Sequence, residues 1–215
     1  IVIPSNSFIT GNGTLIFNQS SVVNDGTVSV NTVQFGTTTN LSGSGVFNTQ
    51  AATFLDGSNV TLLSNQQFKY ANIVSGGTLN LNGLKASFNG SGTPFSSNGI
   101  LNMNAGTIEL NGTSAQTVPN SFTYKNLNIN NTAGANITGA LNVNDTLKII
   151  SGFLNIAGNT LALGSTGYLV ESNGATVRGG SGTITANRTL TNPVNVNVAG
   201  LGASITSTAD LGLTT

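Results

Sequence analysis

The 215-residue chain contains no histidine, no cysteine and no tryptophan, and it has only four prolines and one methionine. Without histidine, His-ligated metal sites and Ser–His or Cys–His nucleophilic pairs are excluded. Without cysteine there are no disulfide staples and no thiolate chemistry, and the redox compartment stays open. Charge is scarce as well. Six Lys+Arg and six Asp+Glu, 6% of the residues, sum to zero, where a globular domain carries about 25%. Basic residues that occur singly form no patch to meet phosphates, so no nucleic-acid partner is expected. No apolar run approaches the ~18 residues of a membrane helix, so no membrane span is expected either. The chain opens at Ile1 rather than Met and shows no signal-peptide pattern, which reads as a processed chain or a part of a longer one.

What fills the chain instead is Gly, Asn, Ser and Thr around a regular apolar beat. Hydrophobic residues make up 38%, too many and too evenly placed for disorder. From Ala140 to Val177 the anchors are Leu141, Leu147, Leu154, Leu161, Leu169 and Val177. Upstream the same rhythm runs through Leu15, Val22, Val28, Phe35, Leu41, Val46, Phe54 and Val60. It continues through Phe68, Ile73, Leu79, Ala86, Phe95, Leu101 and Ile108. Between anchors the alternation has period two, as in Thr78-Leu79-Asn80, Leu101-Asn102-Met103 and Leu127-Asn128-Ile129. That is the pattern of short strands with one apolar and one polar face. Asn12-Gly13, Asp25-Gly26, Asp56-Gly57, Asn82-Gly83 and Asn98-Gly99 are turn signals.

Two architectures accommodate such strands: a β-sandwich of hairpins, and a β-solenoid (parallel β-helix) whose strands pair with the next coil. Sandwich strands recur every 8–12 residues, and the beat here is shorter. Three strands make a coil of about 20–22 residues, at the period of a solenoid. The fold class expected is therefore all-β, a β-solenoid with three short strands per coil, with the β-sandwich as alternative. Leu141 then stacks on Leu161 and Leu147 on Leu169. Outward Asn and Thr form columns that hydrogen-bond side chain to side chain. Asn80, Asn102, Asn128, Asn142 and Asn155 are the residues expected on that exposed polar face. The solenoid is expected over residues 1–186, followed over 187–215 by an irregular β-rich end or a junction to a following module. Two polar stretches interrupt the rhythm, Gly90 to Asn98 and Thr113 to Ser121, each a bulge or a boundary. Neither end offers an amphipathic cap, and Ile1-Val2-Ile3-Pro4 is an apolar strand. The expected partners are accordingly further copies stacked end to end or neighbouring modules of a longer chain.

Candidate chemistry is thin. The acids Asp25, Asp56, Glu109, Asp145, Glu171 and Asp210 read as turn and solvated positions rather than a catalytic pair. Gly179-Gly180-Ser181-Gly182 copies the glycines of a calcium-binding nonapeptide repeat but lacks its Asp. No catalytic residue, metal or cofactor is assigned, and the chain is not read as an enzyme. Thr37-Thr38-Thr39, Thr183-x-Thr185 and Thr206-x-Thr208 raise ice binding, but Thr-x-Thr does not recur at a constant step. Tyr70, Tyr124 and Tyr168 sit among anchors and read as core or rim rather than as sugar platforms. Leu154 is expected to point inward and Asn155 outward, so that Asp at 154 disrupts the coil and Ser at 155 is nearly silent.

Two segments carry a resemblance. Phe122-Thr123-Tyr124-Lys125-Asn126-Leu127-Asn128-Ile129-Asn130-Asn131 is one, and Gly152-Phe153-Leu154-Asn155-Ile156-Ala157-Gly158-Asn159-Thr160-Leu161-Ala162-Leu163-Gly164 is the other. Together with the tail from Leu190-Thr191-Asn192-Pro193-Val194 onward they resemble the repetitive β-rich cell-surface proteins of Bacteroidetes exported by the type IX secretion system. The resemblance covers the second half well and the first half in style. It implies a secreted or cell-surface location and an adhesin-like, structural role, with surface polysaccharide as an added partner. It also implies O-glycosylation at Thr146, within Asp145-Thr146-Leu147. The functional expectation is a rod- or filament-forming structural or adhesive module. The alternatives are a carbohydrate-binding or carbohydrate-active β-helix and an ice-binding protein.

Overall fold

The computed structural model describes residues 1–165, 167–172, 175–178, 183–186, 196–197 and 204–207. All regular elements among them are strands, and every pairing between them is parallel. The fold is a β-solenoid with three strands per coil. It divides into two units, one of Ile1–Gly90 and Pro94–Thr107, the other of Ser91–Thr93 and Ile108–Thr215.

The first unit is a run of short-strand coils. Its first coil holds β1 (Val2–Ile3), β2 (Phe8–Thr10) and β3 (Thr14–Phe17). The second holds β4 (Ser21–Asn24), β5 (Thr27–Ser29) and β6 (Thr32–Phe35), the third β7 (Thr38–Ser42), β8 (Val46–Phe47) and β9 (Ala51–Phe54). The fourth holds β10 (Asn59–Leu62), β11 (Gln66–Phe68) and β12 (Ala71–Ile73). The fifth holds β13 (Thr78–Asn80), β14 (Lys85–Phe88) and β15 (Phe95–Ser97), and β16 (Ile100–Asn102) follows. Three walls result: β1-β4-β7-β10-β13-β16, β2-β5-β8-β11-β14 and β3-β6-β9-β12-β15. The repeat is looser than 20–22 residues. It runs from 18, with Thr14 opposite Thr32, to 24, with Ala71 opposite Phe95. Corners absorb the difference, because each needs only to return the chain to its wall. Asn82 and Gly83 show how: both have positive φ, 53° and 78°, which Asn tolerates and Gly adopts freely.

Inside this unit the anchors line up in register, and phenylalanine does most of the filling. Phe17, Phe35 and Phe54 stack at 5.5 and 5.2 Å between centroids. Phe47, Phe68 and Phe88 stack at 5.4 and 5.9 Å. Edge contacts Phe35–Phe47 and Phe54–Phe68 join the columns. Three anchors depart from expectation. Val46 is half-buried and points outward; its neighbour Phe47 takes the core position, paired with Val28 and Phe68. Leu15 and Leu101 keep inward parity but are half-buried, because β3 and β16 each end their wall within the unit.

The second unit takes in β17 (Thr107–Leu110) from Ile108 onward, then β18 (Gln116–Val118), β19 (Thr123–Ile137) and β20 (Leu141–Asn155). Then come β21 (Thr160–Leu163), β22 (Tyr168–Glu171), β23 (Thr176–Arg178), β24 (Thr183–Ala186), β25 (Val196–Asn197) and β26 (Ser204–Ser207). Here the rule of three short strands is broken twice. β19 and β20 run 15 residues each and turn their corners at bulges, where the register shifts between Tyr124 and Asn126, Ile129 and Asn130, and Asn131 and Ala135. Ladder pairing therefore continues around the corners. β20 then carries three short strands of the next coil: Leu141 pairs with Leu161, Leu147 with Leu169 and Leu154 with Val177. All six are buried, as the leucine beat implied. The polar stretch from Thr113 to Ser121 contains a strand, β18, stacked on Ala135–Ile137. Within the 187–215 end, only β25 and β26 are described, parallel to β23 and β24; the remainder lies outside the described residues.

Candidate functional site

The wall β1-β4-β7-β10-β13-β16 presents the most regular outer surface of the first unit. Strand alternation sends Val22, Leu41, Val60 and Leu79 inward, all fully buried, so the residues between them must face out. In register these form two columns. One reads Thr38, Asn59, Thr78, Ile100; the other reads Ser21, Asn40, Thr61, Asn80, Asn102. Thr and Asn alternate down and across, giving Thr38-x-Asn40, Asn59-x-Thr61 and Thr78-x-Asn80 on successive coils. Neighbouring strands lie ~4.8 Å apart and outward residues on one strand ~6.6 Å apart. The six strands, all within the described residues, carry no charged side chain.

Three amides on this face, those of Asn59, Asn80 and Asn102, fix one another. Asn102 Nδ2 donates to Asn80 Oδ1 at 2.7 Å, and Asn80 Nδ2 donates to Asn59 Oδ1 at 2.6 Å. A carboxamide has two donors and an acceptor with two lone pairs, so each laddered Asn keeps hydrogen-bonding capacity for a ligand. Other walls carry shorter versions: Ser96 Oγ donates to Asn72 Oδ1 at 2.9 Å, Ser151 Oγ to Asn130 Oδ1 at 3.0 Å, and Asn155 Nδ2 to Asn136 Oδ1 at 3.0 Å.

Among the other residues singled out, Asn102 and Asn142 are exposed and Asn80, Asn128 and Asn155 are half-buried. Asn142 sits opposite Thr123 and Ala162 on its neighbouring strands. Asn128 Nδ2 donates to Glu109 Oε2 at 3.3 Å. Thr146 is half-buried in β20, its backbone N–H donating to Asn126 Oδ1 at 3.2 Å. Beside it Asp145 pairs with Lys125 at 3.4 Å.

The acids are spread out. Asp25 Oδ1 accepts from the backbone N–H and hydroxyl of Ser44 at 2.8 and 3.1 Å, the turn role expected of it. Asp56 lies beside Gly76 at a corner. Glu171 Oε1 accepts from the Val177 N–H at 2.9 Å. Glu109 departs from the solvated reading: it is buried in β17, against the amide of Asn128. Asp210 and the Gly179–Gly182 run lie outside the described residues, as does Thr208. No three His, Cys, Asp or Glu side chains converge among the described residues, and no helix there is long and apolar enough to cross a membrane. Tyr124 is fully buried with its hydroxyl donating to Pro119 O at 2.7 Å, and burial pushes its phenol well above the usual range. Tyr168 is exposed, and Tyr70 is half-buried with the Lys69 ammonium 5.8 Å from its ring centroid.

Asn40, Asn59 and Thr61 were not singled out from the sequence. Their signal is a Thr/Asn-x-Thr/Asn step once per coil, which a search for Thr-x-Thr alone passes over. Buried polar residues, at the ends of β4 and β11 and inside β7, were equally hidden. Asn24, Thr39 and Gln66 are buried, with Thr39 Oγ1 donating to Gln19 O at 2.8 Å and Gln66 Nε2 to Gly43 O at 3.0 Å. In the second unit Asn131 Nδ2 donates to Ser114 O and Gln116 Oε1, pinning the 113–121 excursion.

No family model, no curated protein and no solved structure matches this chain.

Proposed function

We propose that this chain is a structural or adhesive module of a secreted or cell-surface protein, rod- or filament-forming, with no catalytic role. The reading follows the Bacteroidetes type of repetitive surface protein that the sequence resembles. The observation that carries it is the first coil. β1, β2 and β3 are the outermost strands of their three walls within the first unit. Inward Ile9 and Leu15 are only half-buried there, and Val2, Phe8 and Ile16 are exposed. Three unpaired parallel edges over uncovered apolar side chains suit another coil, from a second copy or a neighbouring module. The separation of Asp25, Asp56, Glu109 and Asp145 among turns, ladders and an ion pair supports a non-catalytic role. On the same reading Thr146 carries an O-linked sugar, detectable as added mass on protein taken from its source.

Sedimentation velocity across a wide concentration range tests the assembly, with electron micrographs of the source cells alongside. Growth of the sedimentation coefficient with concentration is expected, and Ile16→Lys together with Phe8→Lys should suppress it. A chain that stays monomeric throughout and is seen in no surface filament refutes the reading. A carbohydrate-binding role gains support from the charge-free face of β4, β7, β10, β13 and β16.

A further inference from the structure

We infer that the outer face of β4, β7, β10, β13 and β16 binds a neutral, extended polysaccharide. The inference rests on the adhesive reading above and names its ligand class. Three observations carry it.

The first is charge. Outward positions across these strands bear hydroxyls and amides, apart from the apolar Val23 and Ile100 at the two ends of the face, and no ionised group. A phosphate, sulfate or uronate polymer would gain no ion pair there, and its own charges would be desolvated without compensation. A neutral glycan loses little on approach. Its hydroxyls both donate and accept, which matches carboxamides and threonine hydroxyls that do the same.

The second is repetition. Asn40, Thr61, Asn80 and Asn102 follow one another on adjacent strands, ~4.8 Å apart. A polymer of identical units laid along the column meets an amide or a hydroxyl at every coil, each able to donate and accept. Hydrogen bonds to a wet surface are individually weak, and many in series provide avidity.

The third is preorganisation. The Asn59–Asn80–Asn102 amides hold one another at 2.6 and 2.7 Å, so their rotamers are set before a ligand arrives. That removes part of the side-chain ordering cost of binding. The same fact separates a glycan from an ice lattice on this face. Four of the column positions are amides that hydrogen-bond strongly, and methyl-bearing threonine is the minority partner.

The test uses the full chain and two insoluble neutral polysaccharides, cellulose and chitin, with alginate beads as the acidic comparison. Depletion of protein from solution is the readout. Wild type should bind at least one neutral polymer and leave alginate alone. Thr61→Lys, and separately the double variant Asn59→Ala/Asn80→Ala, should lose roughly tenfold in affinity. Gln34→Lys, on the half-buried outer side of β6 in another wall, should bind as wild type. Circular dichroism confirms that each variant is folded, and Gln34→Lys controls for the added charge. Wild type that ignores both neutral polymers overturns the inference, as does binding that Thr61→Lys and the double variant leave intact. Thermal hysteresis abolished by Thr61→Lys overturns it in favour of ice. Adhesion of wild type to its source cells is measured in parallel: adhesion without glycan uptake sinks the glycan face alone, and absence of adhesion counts against the adhesive reading itself.

Discussion

Phe35→Ala is the sharpest probe of what holds the first unit together. Phe35 is fully buried in β6, stacked on Phe17 and Phe54 at 5.5 and 5.2 Å and edge-on to Phe47 at 5.9 Å. A buried phenylalanine removes 150–250 Å² from water, or about 4–6 kcal/mol at ~25 cal/mol per Å². Alanine retains a small part of that and leaves a cavity between coils that their ladders prevent from closing, so the expected loss is about 3–5 kcal/mol. Phe35→Leu keeps most of the volume but loses the ring pairs, worth ~0.5–1.5 kcal/mol each and not additive, and should cost about 1–2 kcal/mol. Leu63→Ala, 54% exposed at the corner between β10 and β11, is the control and should stay within about 0.5 kcal/mol. Because a solenoid coil is stabilised by its immediate neighbours, the damage should be local. Hydrogen-exchange mass spectrometry should show faster exchange in β3, β6 and β9 under Phe35→Ala, with β19 to β21 unchanged. A chemical-denaturation series supplies the energies. Equal shifts for Phe35→Ala and Leu63→Ala, or a loss spread evenly over both units, would refute the column as the source of stability.

Other positions give smaller or more specific effects. Leu154→Asp buries a charge beside Val177 and should cost several kcal/mol, read as loss of protection in β20 and β23; wild-type melting would show that Leu154 does not face inward. Asn155→Ser is no longer expected to be silent, since Asn155 donates to Asn136 and accepts from the Ala157 N–H at 3.0 Å; about 1–2 kcal/mol should be lost in a denaturation midpoint shift. Gly152→Ala should destabilise by more than about 1–2 kcal/mol, because φ is +72° and a Cβ would meet the carbonyl oxygen of Asn131. Tyr124 sets an alkaline limit. Its folded phenol is held above the unfolded value of ~10 by burial. The folded state therefore keeps a proton that the unfolded chain gives up, and the contribution is complete below pH ~10 and is lost as pH rises further. Tyr124→Phe should remove that alkaline slope in stability-versus-pH measurements.

The leucine beat was a reliable guide where a residue's neighbours on both sides are further coils. Leu141, Leu147 and Leu154 fall opposite Leu161, Leu169 and Val177, at steps of 20, 22 and 23 residues, because corners of variable length return each strand with its inward positions in register, and like residues fill a continuous core. The beat misled at Val46-Phe47, where two adjacent apolar residues compete for one inward position; the register of β8 against β5 and β11 decides for the ring. Leu15 and Leu101 illustrate a different limit. Their side chains point inward, but burial depends on how many coils cover them, and periodicity carries no count of neighbours.

The sequence by itself determined that this chain coils, which residues line the core of β20 and its partners, and that no histidine or thiol chemistry takes place. Those follow from composition and from period-two alternation, both local properties. Only the tertiary structure decided that Asn59, Asn80 and Asn102 join into a ladder, that Glu109 is buried against Asn128, and that β19 and β20 carry pairing around their corners. Each of these depends on register between residues about 20 positions apart, and corners of variable length set that register coil by coil. A Thr-x-Asn step is unremarkable on one strand; stacked on an Asn-x-Thr step it becomes a surface.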